Sequence, residues 1–240
     1  MLQPPSGAII IRKVHRRLMS KGETMNRLGT FCSTMVLVLV VSLIAVIPQQ
    51  TLAQAEKGAE LYGAGKYQEA EKALQEALKK DPKNIRANYY LGLSMLMQQK
   101  YRESLDEFQK VMKSQERSRS AVPSEIQIQL ALARARLGLK QYDEAWKNLE
   151  SARKADANAS DVYVYRGVYY LDQGEYAQAI RELEKAISLD DQNPYAYYYS
   201  GMANYKSGNG KKASEDLKTF IKLAPDAPEV ENARETINLC

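Results

Sequence analysis

The feature that most restricts this chain is a self-similarity at 34 residues that starts near residue 50 and runs almost to the end. Gly58 and Gly92 stand 34 apart, as do Tyr67 and Tyr101, Ala70 and Ser104, and Leu74 and Phe108. After seven extra residues the frame resumes. Ala133, Gly167 and Gly201 take the glycine place, Tyr142 and Tyr176 the tyrosine place, Ala145, Ala179 and Ala213 the alanine place, and Leu149, Leu183 and Leu217 the large apolar place. Five units result: 51–84, 85–118, 126–159, 160–193 and 194–227. A unit this short cannot bury its own apolar face, so the units must stack on one another.

Each unit reads as two helices. Ala70, Leu74, Ala77 and Leu78 follow one another at i, i+4, i+7 and i+8, one apolar helix face, and Ala179, Leu183, Ala186 and Ile187 repeat it. Gly65-Lys-Tyr and Gly174-Glu-Tyr mark turns between helices, and Asp81-Pro82 and Ala224-Pro225 end units. Glycine inside a helix costs about 1 kcal/mol relative to alanine, so Gly92, Gly167 and Gly201 need a reason. Close approach of the two helices of a unit supplies one, with the small residue of the first packed on the small residue of the second (Ser104, Ala179 or Ala213).

A 34-residue helix-turn-helix with Gly or Ala, then Tyr, Ala, a large apolar residue, Ala and a late Pro resembles the tetratricopeptide repeat. The resemblance covers residues 51–227 and implies an all-α, right-handed superhelical solenoid of five repeats with no catalytic activity of its own. Arg136, Arg153, Arg166 and Asn204 stand where the family usually has apolar residues, and Gly210 replaces the turn tyrosine. Looser packing in the third and fifth units is the expected consequence. The insertion Arg119–Glu125 is expected to lengthen the second helix of unit two before Pro123 and Ser124 begin the next. Residues 228–240 supply a closing helix, with Val230, Ala233 and Ile237 on one face to cover the last unit.

Charge and the N-terminal segment belong together. The chain carries 34 Lys and Arg against 29 Asp and Glu, but six of those bases (Arg12, Lys13, Arg16, Arg17, Lys21, Arg27) and only one acid (Glu23) precede residue 56. Residues 56–240 are therefore neutral, which removes the electrostatic case for nucleic acid. Met35–Ile47 is an apolar run broken by one serine, shorter than the roughly 20 residues of a spanning helix and suited to a secretory signal. Residues 1–55 are thus an N-terminal extension and signal peptide, with Ala53 or Ala55 as the expected cleavage point. The alternative is an uncleaved inner-membrane anchor. Both place the repeats outside the cytoplasm, periplasmic or secreted, and a membrane enters only through this segment.

Composition also bounds the chemistry. The single histidine is His15, and the two cysteines are Cys32 and Cys240, so the repeats lack the residues of zinc or Ser-His-Asp sites. No cofactor or metal is expected. Cys240 is either a free thiol or half of an intermolecular disulfide.

In the resembled family the first helices line a concave, partner-binding face. Steps of 3, 4 and 3 along them select Arg86, Tyr89, Leu93 and Leu96; Gln127, Leu130, Arg134 and Leu137; Asp161, Val164, Val168 and Leu171; Tyr195, Tyr198, Met202 and Tyr205. The candidate groove is Arg86, Tyr89, Leu93, Leu130, Arg134, Val164, Val168, Tyr195, Tyr198, Met202 and Tyr205. Ten of the 16 tyrosines lie between 163 and 205, which points to units four and five. No asparagine and basic clamp for acidic chaperone tails is present. The expected function is a non-catalytic scaffold in a bacterial envelope that holds a peptide or helix of an assembly, secretion or pilus complex. A periplasmic holdase for unfolded clients is the alternative.

Overall fold

A computed structural model describes residues 53–118 and 123–240. The apolar run and residues 119–122 of the insertion lie outside the described residues. Residues 53–63 form helix α1. Ten helices follow: α2 (Tyr67–Lys80), α3 (Ile85–Met97), α4 (Tyr101–Ser118), α5 (Glu125–Gly138), α6 (Tyr142–Ala155), α7 (Ser160–Asp172), α8 (Tyr176–Leu189), α9 (Pro194–Lys206), α10 (Gly210–Leu223) and α11 (Val230–Leu239). Among the described residues there is no strand, and no helix is long and apolar enough to cross a membrane.

The even-numbered helices carry one apolar stripe each, and its centre is fully buried: Leu74, Phe108, Leu149, Leu183 and Leu217 are all 0% exposed. The odd-numbered helices are apolar or aromatic on several faces because each has several neighbours. From α3 to α9, each packs on the even helix before it, on the even helix after it and on the nearest odd helix, whereas the even helices do not meet one another. Crowding the odd helices and spreading the even ones curves the array with the odd helices inside.

The turn inside each unit is built the same way five times. Gly65, Gln99, Lys140, Gly174 and Gly208 all have positive φ, between 58° and 84°. The next amide closes back onto the carbonyl five residues earlier, as in Lys66 to Leu61, Gln141 to Arg136 and Asn209 to Asn204, at 2.8–2.9 Å. Gln99 and Lys140 hold this geometry without being glycine, at a cost of about 1 kcal/mol each. Ser124 and Gln127 form a reciprocal capping box at the start of α5. The helix before it, α4, has 18 residues where α2, α6, α8 and α10 have 14, so the second helix of unit two is four residues longer, up to the residue before the insertion.

Two sequence expectations need correction. The mid-helix glycines meet first the large residue of the second helix and not its small one, although at Gly201 the Ala213 carbonyl oxygen is also close, 3.2 Å from an added methyl group. A methyl group on Gly167 would lie 2.5 Å from Leu183 Cγ, one on Gly201 2.6 Å from Leu217 Cγ, and one on Gly92 2.6 Å from Phe108 Cε1. Each glycine is the slot for the large residue 16 positions on. Nor do the polar intrusions loosen the packing. Asn204 is buried and donates to the Ser200 carbonyl at 3.0 Å, while Asp216, 2% exposed, accepts from Ser200 Oγ at 2.8 Å and from Lys212 Nζ at 2.7 Å. Arg136 donates to Asn148 Oδ1 and the Glu144 carbonyl, and Arg153 pairs with Glu150 at 3.0 Å. Arg166 pairs with Glu150 and Glu182 and lies 4.4 Å over the Trp146 ring.

The last described helix, α11, stands in the first-helix place of a sixth unit. Ala233, with Val230 and Ile237 beside it, packs on Leu217 and Phe220. Glu235 stands 34 residues after Gly201, in the glycine place, and is exposed. Gly210 is explained by the same register. The turn tyrosine Tyr101 packs its ring on Gly138 of the next unit, and Cys240 is the counterpart of Gly138 three repeats on. A methyl group on Gly210 would already be 3.1 Å from the Cys240 carbonyl oxygen, so the chain end fills the space a ring would take. At the other end Ala55 is buried with Ala70, Leu74 and Leu91, which places residues 53–55 with the first repeat's core.

Candidate functional site

The inner face of α5, α7 and α9 carries two adjoining open clefts. One, of about 240 Å³, is lined by Leu96, Arg134, Leu137, Tyr165, Val168, Asp172 and Tyr199. The other, of about 610 Å³, shares Val168, Asp172 and Tyr199 and continues to Leu171, Tyr176, Tyr198, Met202 and Lys206. The odd helices produce this surface because they present apolar side chains on more faces than their neighbours can cover.

The eleven candidate residues divide on burial. Val168, Tyr198 and Met202 line the larger cleft, and Arg134 and Val168 the smaller. Leu93, Leu130 and Val164 are 8%, 8% and 2% exposed and belong to the packing between units, so they offer a partner almost no surface. Tyr89 is half-buried against Tyr90 and Phe108, and Arg86 is exposed, 5.7 Å over the Tyr90 ring. Tyr195 and Tyr198 pack on Phe220, and their hydroxyls donate to Glu229 at 3.3 Å and Asn232 at 3.0 Å. Much of the tyrosine-rich segment is therefore used to seat the closing helix. Tyr205 is half-buried and lines neither of these two clefts. Tyr165, Tyr199 and Asp172 line clefts and escaped the stripe. Tyr165 and Tyr199 stand 34 apart, one residue beyond the stripe's second position, and that repeat spacing was the signal available for them.

Arg134 lines the smaller cleft. Its guanidinium lies 5.2 Å over the Tyr165 ring, and Nη2 donates to Met97 Sδ at 3.6 Å. Burial pushes the phenols of Tyr62, Tyr89, Tyr165 and Tyr199 upward in pKa, and the Arg134 charge pulls each of the four back. Tyr195, raised by burial and then by Glu229, is pushed up to about 12. Burial also raises the Asp172 carboxyl, with Lys140 opposing.

These shifts make a pH prediction. An unfolded phenol titrates near 10. Groups raised above that value stabilise the fold fully below pH 10 and lose that contribution as pH climbs through their folded values, near 12 for Tyr195. Helicity is expected to collapse between about pH 10 and 12. Tyrosinate absorbance from these buried phenols should appear in the same transition. A tyrosinate titration completed near pH 10 with circular dichroism unchanged would contradict it.

Comparison with known proteins identifies the repeat. Family models described as tetratricopeptide repeat match residues 56–118 and 195–227, and one described as TPR repeat matches 167–208, together just over half of the chain. No curated protein matches in sequence. Among solved structures, a thermophilic TPR protein of Thermus thermophilus is similar over 79% of this chain and 100% of its own, with TM-score 0.67 and 19% identity. MamA from Desulfovibrio magneticus is similar over 74% and 97%, with TM-score 0.52 and 19% identity. At these identities the likeness is one of fold.

Proposed function

We propose that this chain, a tetratricopeptide-repeat protein, is a non-catalytic scaffold of the bacterial cell envelope that holds a segment of a partner protein along the inner face of α5, α7 and α9. The observation that carries the reading is the pair of adjoining clefts, where Leu171, Val168, Tyr198, Tyr199 and Met202 stay partly uncovered after the array has closed on itself. Tyrosine and methionine side chains give large contact area and adapt to shape, the properties of a peptide groove. Export rests on the basic residues followed by the apolar run Met35–Ile47. Of the two cleavage points, the one after Ala53 keeps the buried Ala55 in the folded chain.

Capture from an envelope extract, with the intact chain as bait, tests this. One partner in stoichiometric amount is expected. Val168→Glu with Met202→Glu should cut its recovery about tenfold or more while helix content stays unchanged, because both side chains line the cleft and neither is fully buried. Equal recovery by both baits would exclude the groove. Many clients in substoichiometric amounts would favour a holdase instead.

A further inference from the structure

We infer that the cleft around Arg134 selects a partner segment carrying a single aspartate or glutamate side chain among apolar or aromatic residues, the carboxylate docking on the Arg134 guanidinium. The inference rests on the groove reading above and adds its chemistry.

Most of the other half-buried cations meet acids, and Arg136, which does not, is taken up by Asn148 Oδ1 and the Glu144 carbonyl. Lys100 meets Glu71 at 2.8 Å, Arg166 meets Glu150 and Glu182, and Lys212 meets Asp216 at 2.7 Å. Among the described residues Arg134 has no carboxylate partner. What it has is the face of Tyr165, a hydrogen bond with the Tyr62 phenol and a thioether, neutral partners that leave some of the five guanidinium N–H donors for a ligand. A cation held partly out of water without an anion is a costly arrangement, and a carboxylate entering the cleft would relieve it with charge-assisted, bidentate hydrogen bonds.

The surroundings narrow the ligand further. Val168 and the rings of Tyr165 and Tyr199 are the partly uncovered walls of the cleft, so residues flanking the carboxylate should be apolar or aromatic. Asp172 lines the same cleft and repels a second negative charge. Residues 56–240 have no net charge to draw in a polyanion. A lone acidic residue fits these constraints, and an acidic run does not.

Selection of random 12-residue peptides displayed on phage against the intact chain is the test. One fixed position should be enriched in Asp or Glu about fivefold or more over its library frequency, with apolar or aromatic neighbours. Replacing that Glu by Gln in a synthetic copy should weaken binding about tenfold, the size of one charge-assisted contact. Against Arg134→Met, with unchanged circular dichroism, the Glu and Gln peptides should bind within about twofold of each other. Should that variant not fold, the Glu and Gln peptides on the parent chain still decide. Selected peptides without acidic preference, or a preference for acidic runs, would overturn the carboxylate site and leave the groove standing. Failure to select any peptide would remove both.

Discussion

Replacing Gly167 with leucine is expected to lower the stability of the array by about 3 kcal/mol, seen as a fall in the urea midpoint with an unchanged slope. The Cβ alone would sit 2.5 Å from Leu183 Cγ, and the rest of the side chain has nowhere to go because Leu183 is 0% exposed. Alanine at the same place separates two opposing effects. It gains about 1 kcal/mol of helix propensity and meets the same first clash, so a net loss of about 1–2 kcal/mol is expected. Gly63 is the control. It ends α1 in open space, with no atom within 4 Å of where a methyl group would stand, so Gly63→Ala should stabilise by up to about 1 kcal/mol. A size exchange then tests the contact itself. Leu183→Ala should cost about 2–5 kcal/mol, and adding Gly167→Ala should cost less than the sum by about 1 kcal/mol or more, because the new methyl enters the vacated space. Strict additivity would show that the two residues are not each other's partners.

The glycines also show where sequence reasoning stops. A repeated glycine in mid-helix says that something large comes close, and the 34-residue register says it does so in every unit. Neither says which residue. Size complementarity across the pair, Gly92 with Phe108 and Gly201 with Leu217, was visible as a fixed spacing of 16, but small-to-small packing is equally compatible with a spacing. The fold was legible because five copies of one pattern constrain helix type, length and turn together. The inner face was less so. Helices such as α7 are apolar or aromatic on several faces, so a periodic stripe cannot tell the side packed against the next unit from the side left open. Val164 fell on the packed side, while Tyr165, one residue later, faces the cleft.

Arg166 carries the second large effect. Its side chain is 12% exposed, it pairs with Glu150 from α6 and Glu182 from α8, and it stacks on Trp146, so it ties three successive helices together. Arg166→Ala should cost about 3 kcal/mol, since it removes the packing on Trp146 and takes the cation from two half-buried carboxylates, Glu150 at 27% and Glu182 at 18% exposed, of which only Glu150 keeps a partner, Arg153. The loss should be partly recovered at low pH. Glu150 is held below its ordinary pKa, first by the hydrogen bond from Arg153, against the cost of burial, and then by Arg166. A depressed carboxyl stabilises the parent only above its unfolded pKa and loses that contribution as pH falls through the folded value. Parent and variant should therefore converge on acidification. Replacing the three buried members, Glu150→Leu with Arg166→Met and Glu182→Leu, should restore stability to within about 1 kcal/mol of the parent or exceed it, because the one charge left without its partner, Arg153, is 40% exposed and solvated. If the triple variant is as weak as Arg166→Ala, the stacking on Trp146 and not the charges holds these helices. If Arg166→Ala alone costs under about 0.5 kcal/mol, the cluster behaves as a solvated surface pair and its burial has no energetic weight.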